Sequence, residues 1–456
     1  MKQATLHPLT SGDNHELHET LFSAQRPWVR VVLALSLAAA LTTFVVTLVK
    51  PDVTPPLAQT KVLKFISWQK DEPGNREWWA GIIKEFEASH PGVTIEWIKV
   101  ARNSYADTML TLFAGGKPPE IVHLAAVEFH KFAENGWLED LGPWQKKANL
   151  DMSKWTAIDS CIWKQKLLCV PLLYSGHPLA YNEALLKNAG VGVPTNWEEY
   201  LNVLQKTTLD LNGDGINDQF GTGHETRGGG AEYLRELMIY TLDAGGRFTD
   251  ANGKVTIDTP QMIEGLRRWK TIVKGSLTPR DLSSAETRQM FADGAIAMKI
   301  DGPWIYPIVQ KGRAAGDIKF ISSPLQPPMG GASNVIGMPS DIPAATKQLV
   351  WDFIRITISD QQQSNFASLV GAVPPSPTAD TSAAKAKLPH WDVLVTAMQT
   401  AAKAGVDRMP KGLELSFNEF VKMVKEEAQR MVIDDLDPTV VAQTMQKKAE
   451  ALQKQQ

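Results

Sequence analysis

The stretch Pro171-Leu172-Leu173-Tyr174-Ser175-Gly176-His177-Pro178-Leu179-Ala180-Tyr181-Asn182 most constrains what this chain can fold into, because it ends one αβ pattern and begins another. Its body is apolar and β-favouring, two prolines and a Tyr-Asn pair bound it, and an amphipathic run over residues 183–189 follows at once. The spacing predicts a strand that crosses between two lobes. Taken alone, the same residues also fit an ordinary buried strand.

Two lobes need material for two cores. A chain of 456 residues with 43% hydrophobic and 21% charged content has it. The formal net charge of −3 is small for that size, and no arginine-rich run or RNA-binding aromatic motif occurs, so no nucleic acid is expected as a partner.

Residues 31–49, VVLALSLAAALTTFVVTLV, contain no charge and match the length of helix that spans a hydrocarbon core of ~30 Å. Arg26 and Arg30 precede the run, while Lys50, Pro51 and Asp52 follow it. That bias places the N-terminus in the cytoplasm and the rest of the chain outside. A transmembrane anchor over 28–49 is the first reading and a cleaved signal segment the second. The leader before the apolar run is long and no small-x-small site follows promptly, which favours the anchor. Residues 1–27 lack apolar periodicity and read as a disordered cytoplasmic tail, and 50–60, with three prolines, as an extended linker.

The only two cysteines, Cys161 and Cys169, flank a sequence that alternates as a hairpin with its turn near Gln165. Their sulfurs then face each other across adjacent strands, and in an exported protein a disulfide is expected. Two buried thiols are the competing reading.

The remaining order is strand (61–68), helix with Trp78, Trp79, Ile82, Ile83 and Phe86 at helical spacing, then strand again near 93–97. This opening suggests a parallel sheet whose strands present ligand groups at their carboxyl ends. A helix over 104–114, the stop Gly115-Gly116, and Pro119-Glu120-Ile121-Val122 come next, followed by Phe132-Ala133-Glu134-Asn135-Gly136-Trp137-Leu138-Glu139-Asp140-Leu141. Beyond the crossing lie Tyr181-Asn182-Glu183-Ala184-Leu185-Leu186-Lys187, Gly294-Ala295-Ile296-Ala297-Met298-Lys299-Ile300-Asp301-Gly302-Pro303-Trp304 and Gly371-Ala372-Val373-Pro374-Pro375.

In this order, from residue 61 to the C-terminal third, these motifs resemble the family 1 extracellular solute-binding proteins, the maltose-binding-protein-like receptors of ABC importers. Glu120 stands where the family has Asp, and Pro178 and Ala180 fit its pattern loosely. The resemblance implies an α/β, two-lobed periplasmic-binding-protein fold of type II, with hinge-linked αβ lobes, here preceded by one N-terminal transmembrane helix. The lobes are expected over 61–180 plus 336–372 and over 181–335 plus 373–456, with the chain crossing back between 335 and 339 and again near Gly371.

The implied function is capture of a carbohydrate between the lobes by hinge closure and delivery to the permease subunits of an ABC importer, by a monomer tethered through its N-terminal helix. A membrane-anchored sugar sensor is the alternative. Trp68 and Trp304 are the expected stacking faces, since a rigid indole covers the C–H side of a pyranose at little entropic cost; packing beneath the cleft is the other reading of Trp304. Asn103, Glu120, Glu128 and Asn334 are expected to hold hydroxyls.

Asp210, Asn212, Asp214, the Ile216 carbonyl and Asp218 fall at the alternate positions by which an EF-hand-type loop wraps calcium, with Gly215 after the third. The twelfth position is Gly221 and not Glu, so a structural calcium needs a later acid such as Glu225; an Asx-rich turn explains the same residues. No Gly-x-Ser-x-Gly, Walker loop, His-Glu-x-x-His or Rossmann spacing occurs; scattered Asp and Glu leave a glycosidase-like pair as a distant third reading, and binding is favoured over catalysis.

Overall fold

A computed structural model describes residues 60–456 apart from Gly229, Asp407 and Gln456. The expected tail over 1–27, the apolar segment 28–49 and nearly all of the linker 50–60 lie outside the described residues. Among the described residues no helix is long and apolar enough to cross a membrane.

Strand β1 (Lys61–Ser67) buries Leu63 and Phe65 and leaves Lys64 exposed, the period-2 pattern of a pleated strand. The helix Asn75–Ser89 buries Trp78, Trp79, Ile82 and Phe86 on one face. Each of these side chains is at most 1% exposed and stabilises the fold by ~1.5–3 kcal/mol, using the usual scale for a fully buried apolar residue. Their polar ends are satisfied too: Trp78 Nε1 donates to the Gln362 carbonyl at 2.8 Å and Trp79 Nε1 to Gln69 Oε1 at 2.8 Å. Strand β2 (Val93–Lys99) then pairs parallel to β1, and β3 (Val122–Ala125) joins β1 through a parallel bridge between Phe65 and Ile121.

Strands β4 (Ile162–Trp163) and β5 (Lys166–Leu167) form the anticipated hairpin, with Lys164 and Gln165 both in the left-handed region at its turn. Cys161 and Cys169, with Cα atoms 5.0 Å apart, are disulfide-bonded as the alternation implies.

The crossing consists of two strands and not one. β6 (Val170–Gly176) belongs to the first sheet, and β7 (Leu179–Asn182) to a second sheet ordered β10-β7-β9-β8, completed by β8 (Phe220–Thr222), β9 (Ile296–Ile300) and β10 (Ile318–Ile321). The break at His177-Pro178 follows from chemistry, because Pro178 has no N–H to continue a ladder.

The return differs from expectation. β11 (Gly330–Gly337) pairs antiparallel with both β3 and β6, so the chain is already in the first sheet by Gly330, and a boundary placed after residue 335 falls inside that strand. Small residues over 330–334 suit a strand here because β11 passes between two neighbours and beneath the helix Trp391–Lys403. At Gly176 a Cβ would come within 2.2 Å of the Ala397 backbone, so only glycine lets that helix rest on the crossing. The C-terminal helices Phe417–Ile433 and Pro438–Gln453 pack against helix Gly230–Asp243 and helix Pro260–Lys274 in the second lobe.

Candidate functional site

Between the two sheets lies a cavity of about 290 Å³, lined from both lobes. The first lobe reaches it with strand ends. Ser67, last in β1, accepts a hydrogen bond from the Gln69 amide at 3.0 Å and so turns the chain to place Trp68, Gln69 and Glu72 at the wall. Arg102 and Asn103 open the helix that follows β2, and Val127 follows β3. These are the carboxyl ends of three parallel-related strands, where open α/β sheets receive ligands.

The second lobe contributes helix faces. Ala231, Leu234, Arg235 and Met238 repeat at i, i+3, i+4 and i+7 along helix Gly230–Asp243, and Ser284 and Arg288 lie one turn apart on helix Ser284–Ala292. Trp304 follows β9 through Gly302-Pro303. A Cβ at Gly302 would lie within 2.3 Å of the Trp304 ring, so glycine is what admits the indole to this place.

Trp304 Nε1 donates to Asp301 Oδ1 at 2.8 Å, and the guanidinium carbons of Arg235, Arg288 and Arg408 lie 5.7, 5.6 and 5.6 Å from its ring centroid. Behind it is a buried ion cluster. Arg288 grips Asp301 with Nε and Nη2 at 2.7 and 3.2 Å, Arg235 Nη2 donates to Glu236 Oε1 at 2.9 Å, and Lys299 Nζ lies 3.8 Å from Asp301 and 4.0 Å from Glu236. Burial opposes the charge on Asp301 and Glu236, yet these cations hold both carboxyls well below the ordinary range. Burial lowers His224, so its imidazole is neutral at pH 7. Its Nδ1–H then donates to Glu236 at 2.7 Å, and Nε2 accepts from the Tyr240 hydroxyl at 2.6 Å. His224 is 1% exposed.

Across the seam, Arg102 joins the lobes. Its Nη1 lies 2.7 Å from Glu128 in the first lobe and its Nε 3.3 Å from Glu232 in the second. Lys131 and Glu419 make a second cross-seam pair at 3.5 Å. Burial pushes Glu72 up to about 7 against the pull of Arg288 and Arg102.

Of the six expected ligand residues, Trp68, Asn103, Trp304 and Asn334 line the cavity. Trp68 is not a bare platform, however. His123 stacks on it at 4.2 Å and the Arg102 guanidinium carbon lies over the ring at 5.0 Å, leaving it 8% exposed. Glu128 stands one step behind the wall, holding Arg102, and does not line the cavity. Glu120 is at the far end of the sheet. It precedes β3 whereas the cleft is at that strand's other end, and its carboxylate accepts from the Lys64 amide at 2.7 Å.

The calcium expectation finds no support in the geometry. Asp210 accepts from the Gly213 and Gly215 amides, Asn212 from the Asp214 amide, Asp214 from the Ile216 amide and Asp218 from the Leu211 amide, so the side chains close an Asx-type turn. Glu225, the candidate twelfth ligand, lies instead at the cavity, accepting from the Gly228 and Ser284 amides. Among the described residues no three His, Cys, Asp or Glu side chains converge to hold a metal ion.

Sequence reasoning missed Arg235 and Arg288. A signal existed for the first: Arg235-Glu236 interrupts the apolar run Tyr233-Leu234 and Leu237-Met238-Ile239-Tyr240, a charge pair inside a helix buried throughout its middle.

The seam between the two lobes thus holds a cavity lined by polar and aromatic side chains from both. Residues 81–393 match the family model described as bacterial extracellular solute-binding protein, and this chain belongs to that family. The chain is 24% identical over 263 residues to the putative ABC transporter periplasmic-binding protein YcjN of Escherichia coli, an alignment covering 53% of this chain and 55% of that protein, so it spans little more than half of that relative. It is 20% identical over 333 residues to the diacetylchitobiose-binding protein DasA of Streptomyces coelicolor, covering 67% and 72% of the two chains. Among solved structures, the GacH receptor of Streptomyces glaucescens superposes with a TM-score of 0.72 at 18% identity over 87% of this chain and 99% of that one. MalE of Bdellovibrio bacteriovorus bound to maltotriose superposes at 0.70 and 19%, covering 86% and 98%. These likenesses establish the two-lobed fold.

Proposed function

We propose that this protein is the substrate-receiving component of an ABC-type importer, which captures a carbohydrate in the inter-lobe cavity by hinge closure and presents the closed form to the permease without altering the solute. The observation that carries this reading is the cavity itself: both lobes line it, Trp304 stands in its wall, and Arg102 bridges the seam above it. Ligand contacts made with both lobes at once stabilise the closed form over the open one, and that differential affinity is what a partner can sense. The ligands of related proteins, acarbose, maltotriose and diacetylchitobiose, support a saccharide. Trp68, Asn103, Trp304 and Asn334 are the residues we assign to it, with Glu128 acting through Arg102.

The cavity domain sits outside the cytoplasmic membrane, tethered as a monomer through residues 28–49, a placement supported by the family's extracellular character and by the uncharged run in the sequence. The test is isothermal titration of the purified chain against a saccharide panel, with small-angle scattering and product analysis on the same samples. Saturable binding with a smaller radius of gyration and unchanged sugar is expected. Turnover of any saccharide, or the absence of binding across the panel, would overturn the proposal.

A further inference from the structure

We propose that the saccharide this cavity takes is acidic, a sugar bearing a carboxylate or phosphate whose anionic oxygens meet Arg235 and Arg288 beside Trp304. The inference rests on the binding-protein reading above and names the substrate class of the same site.

The wall around Trp304 is rich in donors and poor in acceptors. Asp301 Oδ1 already accepts from Arg288, the Gly302 amide and Trp304 Nε1, while Oδ2 accepts from Arg288 Nε. Glu236 is filled likewise by Arg235 and His224. Both carboxylates are therefore consumed in holding their cations.

The cations keep capacity in reserve. Arg235 uses Nη2 for Glu236 and for Ser284 Oγ at 3.3 Å, and Arg288 uses Nε and Nη2 for Asp301. Among the described residues no hydrogen bond falls on Arg235 Nε or Nη1, or on Arg288 Nη1, although the two residues are only 7% and 9% exposed and both line the cavity. These nitrogens are not sealed from the cavity, and an anionic group there would replace water with charge-assisted hydrogen bonds. Within this buried cluster three cations, Arg235, Arg288 and Lys299, face two carboxylates, Glu236 and Asp301, which leaves one positive charge over.

The other acids of the cavity, Glu232 and Glu225 in the second lobe and Glu72 in the first, make no hydrogen bond to Arg235 or Arg288. Glu232 is paired with Arg102, Glu225 is bound by two backbone amides, and Glu72 accepts from Asn75 Nδ2 at 3.2 Å. Burial raises both Glu225 and Glu72, which favours their neutral forms. The cavity is thus polarised, with a cationic donor end at Trp304 and a hydroxyl-accepting end at Glu72, Asn103 and Asn334. A planar carboxylate or a phosphate fits guanidinium forks in a way that a neutral hydroxyl, needing an acceptor as well as a donor, does not.

The experiment is titration of the full chain with matched pairs, D-glucose against D-glucuronate, D-galactose against D-galacturonate, and D-glucose against glucose 6-phosphate, at low and high salt. Acidic members should bind at least tenfold tighter than their neutral partners, and the margin should shrink as salt rises. The uronate and phosphate arms separate the two sources of the anion. Arg235→Gln should erase the margin and Arg235→Lys restore part of it; circular dichroism confirms that each variant is folded, and Arg288→Lys provides an independent variant should Arg235→Gln fail to fold. Neutral members binding as tightly as acidic ones, with the lobes closing, would overturn this inference and leave the importer reading intact. Binding of neither class would remove both.

Discussion

Glu72→Gln offers a direct test of how the cavity wall is built. The Glu72 carboxyl stands in the wall with Arg288, Arg102 and Glu232 as its charged neighbours and Asn75 as its hydrogen-bond donor, and burial raises it from an ordinary 4.5 to about 7. Below pH 4.5 the folded and unfolded chains both hold the proton, and the contribution to stability is complete. Between 4.5 and 7 the unfolded chain releases the proton while the folded chain keeps it, so stability falls by ~1.4 kcal/mol per pH unit. Above 7 both forms are ionised and the loss is complete. The full span comes to at most about 3.5 kcal/mol, and water reaching the partly exposed side chain from the cavity reduces it.

Glutamine copies the protonated carboxyl in size and still accepts from Asn75, but cannot ionise. The variant should match the wild type at pH 4.5 and exceed it by about 1–3 kcal/mol at pH 8. Urea unfolding of both proteins at pH 4.5, 6 and 8 at fixed ionic strength measures this, and contributions from every other titrating group cancel in the difference. A difference that stays flat with pH, or that favours the wild type more strongly at pH 8, would refute the placement of Glu72 in a desolvated wall.

Other substitutions probe the remaining parts of the construction. Lys299→Met should leave the buried Gly223 carbonyl without its donor and remove the cation lying between Glu236 and Asp301, destabilising the chain by about 1–3 kcal/mol, read as a lower urea midpoint. Replacing Cys161 and Cys169 together by Ser opens a short loop with sequence separation 8, and the chain-entropy scale assigns a loss of about 2.5 kcal/mol, measurable as a fall in Tm with no change in ligand affinity. Gly176→Ala should drive helix Trp391–Lys403 off the crossing strands, costing about 1–3 kcal/mol of overpacking and altering the closure seen by scattering. Trp304→Ala should weaken saccharide binding by at least tenfold in calorimetry while the far-ultraviolet dichroism stays unchanged.

The sequence by itself determined the parts that depend on local pattern. Alternation around Gln165 was enough to pair Cys161 with Cys169, because opposite positions of a tight hairpin face each other whatever surrounds them. The prolines at 171 and 178 and the apolar run between them located the crossing, the strand end at Trp68 gave one of the cavity's walls, and Trp304 was placed there by the resemblance to the solute-binding family. Tertiary structure alone decided which face of each element looks inward across the seam. Arg235 and Arg288 sit on helices whose periodicity shows an apolar stripe but not the lobe that will oppose it, and Glu120 and Trp68 are equally polar or aromatic neighbours of strand ends that happen to be at opposite ends of one sheet. The return of the chain by Gly330 was likewise hidden, since small residues suit a loop and a crowded central strand alike, and only the arrival of β3 and β6 on either side selects the strand.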